Sequence, residues 1–555
     1  MDLLILPQNL QLWLFGLPCL LAAGVGFLSH VLYYIRGFRD PQTLGIITTH
    51  LLAEGILYGV SLLDKGGSRG FVYATAISIS YYAALFTSIV LYRLFFHPLS
   101  RFPGPLQAKV SKFYSLIVAQ DGKLHEHQNL WVKKYGDIVR IAPNELLIVS
   151  LDAQQKVHTT QSKVDKKNTL YNFINYKGVH NLDSILDREE HRWRRQVWDK
   201  ALNTKALETY ESYTREVTHT WLDKIVTLEG QPIDTSLYSH LIPFDNMGKM
   251  GYSTDFGTLK AGKEDRMLHL IECTFSAFGK LGQLSWPVAI AKDLNLSPEQ
   301  TEFENLACKV ADEREKNNSE DKEDIMKYLL DDYRSEKPKA FFNRNILYSD
   351  SQVIMIGGTD TIAVTLSYCF YYLARDASLR QKLKDEVSTV FGKSISGEFT
   401  HADLSSLDIL NAIINESLRM HSPTCSNGAR STPPEGLSVD GVFIPGGVTI
   451  FVGIHAIQRS PKYFKQPDEF IPERWTTRPE LVLDKRAFHP FMVGPYNCVG
   501  KRMALLVLRL VLAYTILNYD FEFAPGEDGT RIHKDAFNQL ILKAGKLECV
   551  FKRRE

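Results

Sequence analysis

Residues 491–500 read F-M-V-G-P-Y-N-C-V-G and place one cysteine, Cys498, in a loop punctuated by Gly494 and Gly500. Directly after it, Lys501 to Leu517 is a helix-forming run, apolar on most faces. Glycine lets a backbone turn tightly and lets a flat ligand come close to it. Amides at the start of the following helix point toward the sulfur and favour its anion. These residues fit a thiolate ligand. They fit a buried core cysteine equally well, since free cysteine is among the most buried residue types. The other cysteines (Cys19, Cys273, Cys308, Cys369, Cys425 and Cys549) have neither metal-type nor disulfide-type spacing. That pattern suits a reducing compartment with one special thiol.

Upstream, residues 354–366 read I-M-I-G-G-T-D-T-I-A-V-T-L. Two glycines inside a helix pattern cost about 2 kcal/mol relative to alanines. Gly357 and Gly358 therefore predict a thinned helix with a local bulge where a ligand presses on backbone. Asp360 and Thr361 place a carboxylate and a hydroxyl in an otherwise apolar wall, a pairing suited to proton delivery. A kinked helix with a polar patch reads from the same residues. Residues 415–420, N-E-S-L-R-M, set Glu416 and Arg419 three apart on one helix face. Residues 470–475, F-I-P-E-R-W, offer a second arginine, Arg474. Two guanidinium forks on the Glu416 carboxylate make a rigid core element. Residues 190–195, E-H-R-W-R-R, put His191 and Arg195 on one helix face, a geometry suited to a carboxylate. Arg192 and Arg194 point elsewhere and are expected to be available to a partner. A basic surface helix is the plainer alternative.

The 555 residues carry 64 Lys+Arg against 63 Asp+Glu, with no charge excess of the kind nucleic-acid binding needs. The first hundred residues differ in kind from the rest. Leu12 to Ile35 is an uncharged run long enough to span a bilayer, and no basic residue precedes it as a signal peptide would require. Phe71 to Phe96 is a second such run, interrupted by Arg93 near its end. Between them, residues 44–63 are apolar but contain His50 and Glu54, so this segment reads as a third span or as a helix lying in the interface. Arg93, Arg101, Lys109 and Lys112 follow the last run, which places the bulk of the chain in the cytosol. Arg36 and Arg39 agree with that orientation, whereas Lys65 and Arg69 weaken it. Prolines 98, 103 and 105 predict a stiff extended connector. Ile138 to Val149 reads as two short strands around a Pro-Asn turn. Apolar-periodic segments near 245–280, 341–375 and 405–420 read as helices, and the charge-dense stretch 313–324 as a solvated loop.

Taken together, in this order and spacing, the four motifs resemble those of the cytochrome P450 superfamily of haem-thiolate monooxygenases, over roughly residues 99–550. The N-terminal runs and proline hinge look like those of membrane-bound eukaryotic members. The stretches I-V-R-I-A-P-N-E and H-R-W-R-R-Q-V-W-D-K-A-L look like fungal ones. The resemblance implies a mainly α fold with small β-sheets, a helical haem domain over 99–555 behind a membrane anchor over 1–98. It implies Cys498 as axial ligand of haem b (iron protoporphyrin IX), and Asp360 and Thr361 managing the protons of oxygen activation. His191, Arg195, Arg430 and Tyr496 are implied partners of the haem propionates, while Glu416, Arg419 and Arg474 form a structural cluster. Tyr496 departs from the pattern, because the family usually has Arg or His there, and a phenol brings no positive charge. Ile362 also departs, standing where many members have Thr or Ser.

No flavin or nicotinamide signature is evident, so electrons must come from outside this chain; the resemblance implies that they reach O2 from NADPH through a flavoprotein reductase. Arg192, Arg194, Lys501 and Arg502 are expected to attract it. The implied activity is oxidation of a hydrophobic small molecule in secondary metabolism, at an endoplasmic-reticulum membrane with the domain facing the cytosol. The alternative is a haem-thiolate isomerase or dehydratase that needs no external electrons. Pocket-forming segments are expected around 170–185, 236–300, 355–366 and 424–432.

Overall fold

The computed structural model of the chain describes residues 16–37, 39–166, 171, 175–317, 322–392, 397–425 and 428–554. Its N-terminal part is three helices, each long and apolar enough to cross a membrane. Leu17–Ser29 continues as a π-helical turn to Tyr34, Thr43–Lys65 follows, and Gly67–Leu91 continues to Phe96. Residues 12–15 of the first expected span lie outside the described residues. The ionisable groups near the centre of the middle helix, His50 and Glu54, face its neighbours. Ser78 donates to Glu54 at 2.6 Å, and His50 meets Tyr81 at 3.2 Å. Arg344–Arg375 is equally long and apolar, but most of it is buried inside the protein, so it belongs to the core.

The proline connector is fastened to the domain. Leu99 and Phe102 are buried with Val139 and Ile148 in one apolar cluster. Arg140, fully buried, donates to the Arg93 carbonyl at 2.9 Å and to the Pro143 carbonyl at 2.7 Å. The two expected strands form as Ile138–Ala142 and Glu145–Ile148 and open a five-stranded sheet. Next to Glu145–Ile148 lies Thr449–Val452, parallel to it, then Arg430–Ser431 and Asp165–Lys166, both antiparallel.

The remainder is mainly helical. The segment expected to be helical over 245–280 divides into Thr235–Tyr252 and Arg266–Leu281. Ser253 turns left-handed at φ 51°, and Gly257 and Gly262 also take positive φ, so no helix passes through. The expected solvated loop over 313–324 is corrected at both ends. Helix Pro298–Lys316 runs into it, and Asp324 is a buried N-cap paired with Arg314. Glu416, Arg419 and Arg474 are fully buried together, as expected. Glu416 accepts from Arg419 at 2.8 and 2.9 Å, from Arg474 at 2.8 Å, from Trp475 Nε1 at 2.9 Å and from the Ile471 amide at 3.0 Å. Such a carboxylate is fully satisfied, and its removal would leave two buried cations unpaired.

Candidate active site

The loop of residues 491–500 is shaped by three local causes. Gly494 takes φ +76°, and a Cβ there would lie 1.9 Å from the His158 carbonyl oxygen, so no side chain fits. The Cys498 amide donates to the Phe491 carbonyl at 2.9 Å, closing the turn. Gly500 caps the helix Lys501–Asn518. Arg195 reaches across from helix Arg188–Ala201 and braces this loop. It donates to the Asn497 carbonyl at 2.7 Å and to Asn497 Oδ1 at 2.8 Å.

Cys498 is open to a cavity of about 1100 Å³. The exposed surface of Cys498 faces that cavity, while protein packs around the rest of the residue. Burial pushes the thiol up; the Gly500 amide, then Arg195 and Lys501, pull it down. Gly357, Thr361 and Ile362 line the same cavity. The Thr361 hydroxyl donates to the Gly357 carbonyl at 2.9 Å. The bulge expected at Gly357-Gly358 is absent, because Arg344–Arg375 is one continuous helix. The two glycines serve different neighbours. Gly357 faces the cavity, while a Cβ on Gly358 would lie 2.0 Å from Met247 Sδ of helix Thr235–Tyr252.

Asp360 does not line the cavity. Its Oδ1 lies 3.9 Å from His240 Nε2, with Nδ1 of that histidine 3.1 Å from the Ser236 carbonyl. Burial pushes the Asp360 carboxyl up to about 7, with Lys543 opposing and Glu272 and Glu264 reinforcing. A carboxyl near neutrality one residue from Thr361, behind the cavity wall, can store and release a proton.

His191, Arg195, Arg430 and Tyr496 all line the cavity. The His191 and Tyr496 rings lie 4.3 Å apart. Burial, followed by Lys166, Arg195, Arg430 and Arg194, lowers His191 to about 3, so it is neutral. Two residues that the motifs gave no sign of, Lys166 and Tyr171, join this group. Arg194 is the clear correction. It is fully buried, pairs with Asp350 at 3.2 Å and with Glu190, and donates to the His180 carbonyl at 2.6 Å. Arg194 therefore is not available to a partner. Arg192 is exposed and paired with Glu189 at 2.7 Å, while Lys501 and Arg502 remain exposed. The expected pocket segments contribute Asn175, Phe275, Ile356 and Thr424, but Leu540 and Ile541 from a C-terminal hairpin also line it.

The Cys498 thiol meets, at one cavity, the cations Lys166, Arg195 and Arg430 and the helix face carrying Thr361, an arrangement that fits a haem-thiolate oxidoreductase. The Cytochrome P450 family model matches residues 103–551, and the chain belongs to that family. It is similar to the cytochrome P450 monooxygenase FCK2 of Fusarium pseudograminearum, 33% identical over 538 residues and 96% of each chain. It is 34% identical to the monooxygenase orf5 of Eupenicillium brefeldianum, over 88% of this chain and 97% of that one. The tryprostatin B 6-hydroxylase of Aspergillus fumigatus is 31% identical over 95% of this chain and 93% of its own. The chain is thus a P450 monooxygenase of fungal type, and its family implies a haem.

Proposed function

We propose that this chain oxidises a hydrophobic small molecule of fungal secondary metabolism at the cavity that holds Cys498 and Thr361. The observation that carries this reading is the meeting of that thiol and the Gly357–Thr361 helix face in one cavity. When bound, haem supplies reductive activation of O2, which a thiolate ligand favours. Cys498 would hold the iron, and His191, Arg195, Arg430 and Tyr496 would surround the propionate edge. Thr361 offers a hydroxyl toward the cavity, and Asp360 supplies the proton from behind it. Val353, Ile354, Ile356, Ile362 and Phe275 give the remaining wall an apolar character suited to a hydrophobic substrate. A relative acts as a hydroxylase, and hydroxylation is the reaction we assign here.

Electrons would come from NADPH through a flavoprotein reductase whose acidic face meets Arg192, Lys501 and Arg502. Residues 1–98 would anchor the chain in the endoplasmic reticulum membrane and 99–555 would form the catalytic domain in the cytosol. The test is reconstitution with reductase, NADPH and candidate hydrophobic metabolites, followed by product mass. The expected result is one added oxygen that requires O2 and reductase, together with a thiolate-type Soret shift of the reduced CO complex that Cys498→Ser abolishes. Product formed without reductase or O2 would replace the reading by an isomerase or dehydratase.

A further inference from the structure

Position 496 carries Tyr496 where the resemblance implies a cation, and two cations lie close to its ring. Asp165–Lys166 pairs antiparallel with Arg430–Ser431, with Lys166 directly opposite Arg430. Opposed residues in such a ladder project on the same face, and like charges there destabilise the pairing. Both side chains are buried, at 9% and 4% exposure, and both line the cavity beside Tyr171, His191 and Tyr496. Lys166 Nζ donates to the Asp183 carbonyl at 2.6 Å and lies 4.4 Å over the Tyr496 ring. The Arg430 guanidinium lies 5.6 Å from the same ring and donates to the Tyr171 hydroxyl at 2.7 Å.

An ammonium has three donors, and among the described residues Lys166 uses one of them. Among those residues no carboxylate comes within ion-pair distance of either cation; Asp183, the nearest acidic influence on Lys166, is itself exposed. Burial first, then Arg430, pulls Lys166 down to about 8, against the Asp183 charge. Two buried cations side by side, with donors left over, need an anion between them.

We propose that Lys166, with Arg430 and the Tyr171 hydroxyl, binds a carboxylate of the cofactor and replaces the cation that Tyr496 removes from the cysteine loop. The inference rests on the reading of this cavity as the haem site. Tyr496 then has a positive role. Its ring face carries the ammonium by cation–π attraction, so position 496 positions the charge it no longer supplies.

The experiment follows haem transfer from the purified full-length holoprotein to excess apomyoglobin. Lys166→Met is expected to speed haem release about tenfold or more, and Lys166→Arg to stay near the wild-type rate. Adding Tyr496→Arg to Lys166→Met is expected to slow release again, because it restores a cation by the other route. Near-UV circular dichroism of the Lys166→Met protein matching wild type separates this from a packing defect. Should Lys166→Met alone not accumulate, the double variant decides, and its failure to hold haem in a folded protein overturns the inference. Wild-type release from Lys166→Met overturns the role of Lys166 and leaves the haem site standing. A wild-type protein that takes up no haem overturns both.

Discussion

Asp360 is held at the edge of ionisation by groups that come from four different segments. His240 faces it at 3.9 Å, Lys543 favours its charge, and Glu272 and Glu264 oppose it, while burial outweighs all of them. Its folded pKa of about 7 stands above the ordinary 3.8, so the native state binds a proton that the unfolded chain has lost. Below about pH 4 both states are protonated and the carboxyl is neutral in its effect on stability. As pH rises toward 7 the unfolded state ionises first, and the fold loses stability until Asp360 itself ionises. Asp360→Asn removes that loss. We expect the variant to match wild type at about pH 4 and to exceed it by roughly 2–4 kcal/mol at about pH 8.5. Denaturant unfolding of the haem-loaded protein at both pH values measures it, and parallel stability profiles for the two proteins would sink the assignment. The same substitution is expected to slow turnover with less effect on substrate affinity, because Asp360 faces away from the cavity.

At the scale of elements, the long helix Arg344–Arg375 carries its two adjacent glycines for opposite reasons. Gly358 lets helix Thr235–Tyr252 approach until Met247 fills the place of a Cβ, whereas Gly357 meets nothing in the protein nearer than 3.7 Å. Gly358→Ala overpacks that crossing and is expected to destabilise by about 1–3 kcal/mol. Gly357→Ala is expected to stabilise the helix by up to about 1 kcal/mol while placing a methyl group in the cavity, which weakens or redirects substrate binding. Thermal unfolding and type I substrate-binding spectra of the pair check this; equal loss of stability in both would contradict it. The sequence could not tell the two apart, since which glycine faces a neighbour depends on a helix more than a hundred residues away. The buried pair of Glu416 and Arg419 was legible because both sit in one contiguous motif whose spacing puts them on one helix face. Arg474 was legible as a second fork for Glu416, although the contact spans 58 residues of sequence. Arg194 was misread because the E-H-R-W-R-R stretch gives no sign of Asp350, the buried acid waiting for it 156 residues downstream. Lys166 was invisible for a related reason: its place opposite Arg430 is a matter of strand register between segments 264 residues apart (430 minus 166).

For the whole molecule, the contacts between anchor and domain argue for the number of crossings. The turn Asp40–Gln42 between the first two apolar helices packs on helix Ser285–Asp293, with Ser285 donating to Asp40. The third helix ends beside the sheet, where the Arg93 side chain donates to the Val110 carbonyl and Arg140 holds the Arg93 carbonyl. The first turn and the end of the third helix therefore lie on the domain's side, and the tight turn at Gly66 lies at the far end of the middle helix. We propose that the three helices so arranged make three crossings, with the middle one turning Glu54 and His50 toward its partners instead of lipid. Arg36, Arg39 and Arg93 then all fall on the domain's side, which the positive-inside rule puts in the cytosol. On that proposal the N-terminus is expected to be lumenal and the sequons Asn295-Leu296-Ser297 and Asn317-Asn318-Ser319 cytosolic. A glycosylation acceptor appended before Met1 is expected to be modified in microsomes, with Asn295 and Asn317 unmodified and the domain digested by externally added protease. An unmodified N-terminal acceptor would mean two crossings, with the middle helix lying in the interface. Glycans at Asn295 or Asn317 would reverse the orientation, and with it the side from which the proposed reductase would reach Lys501 and Arg502.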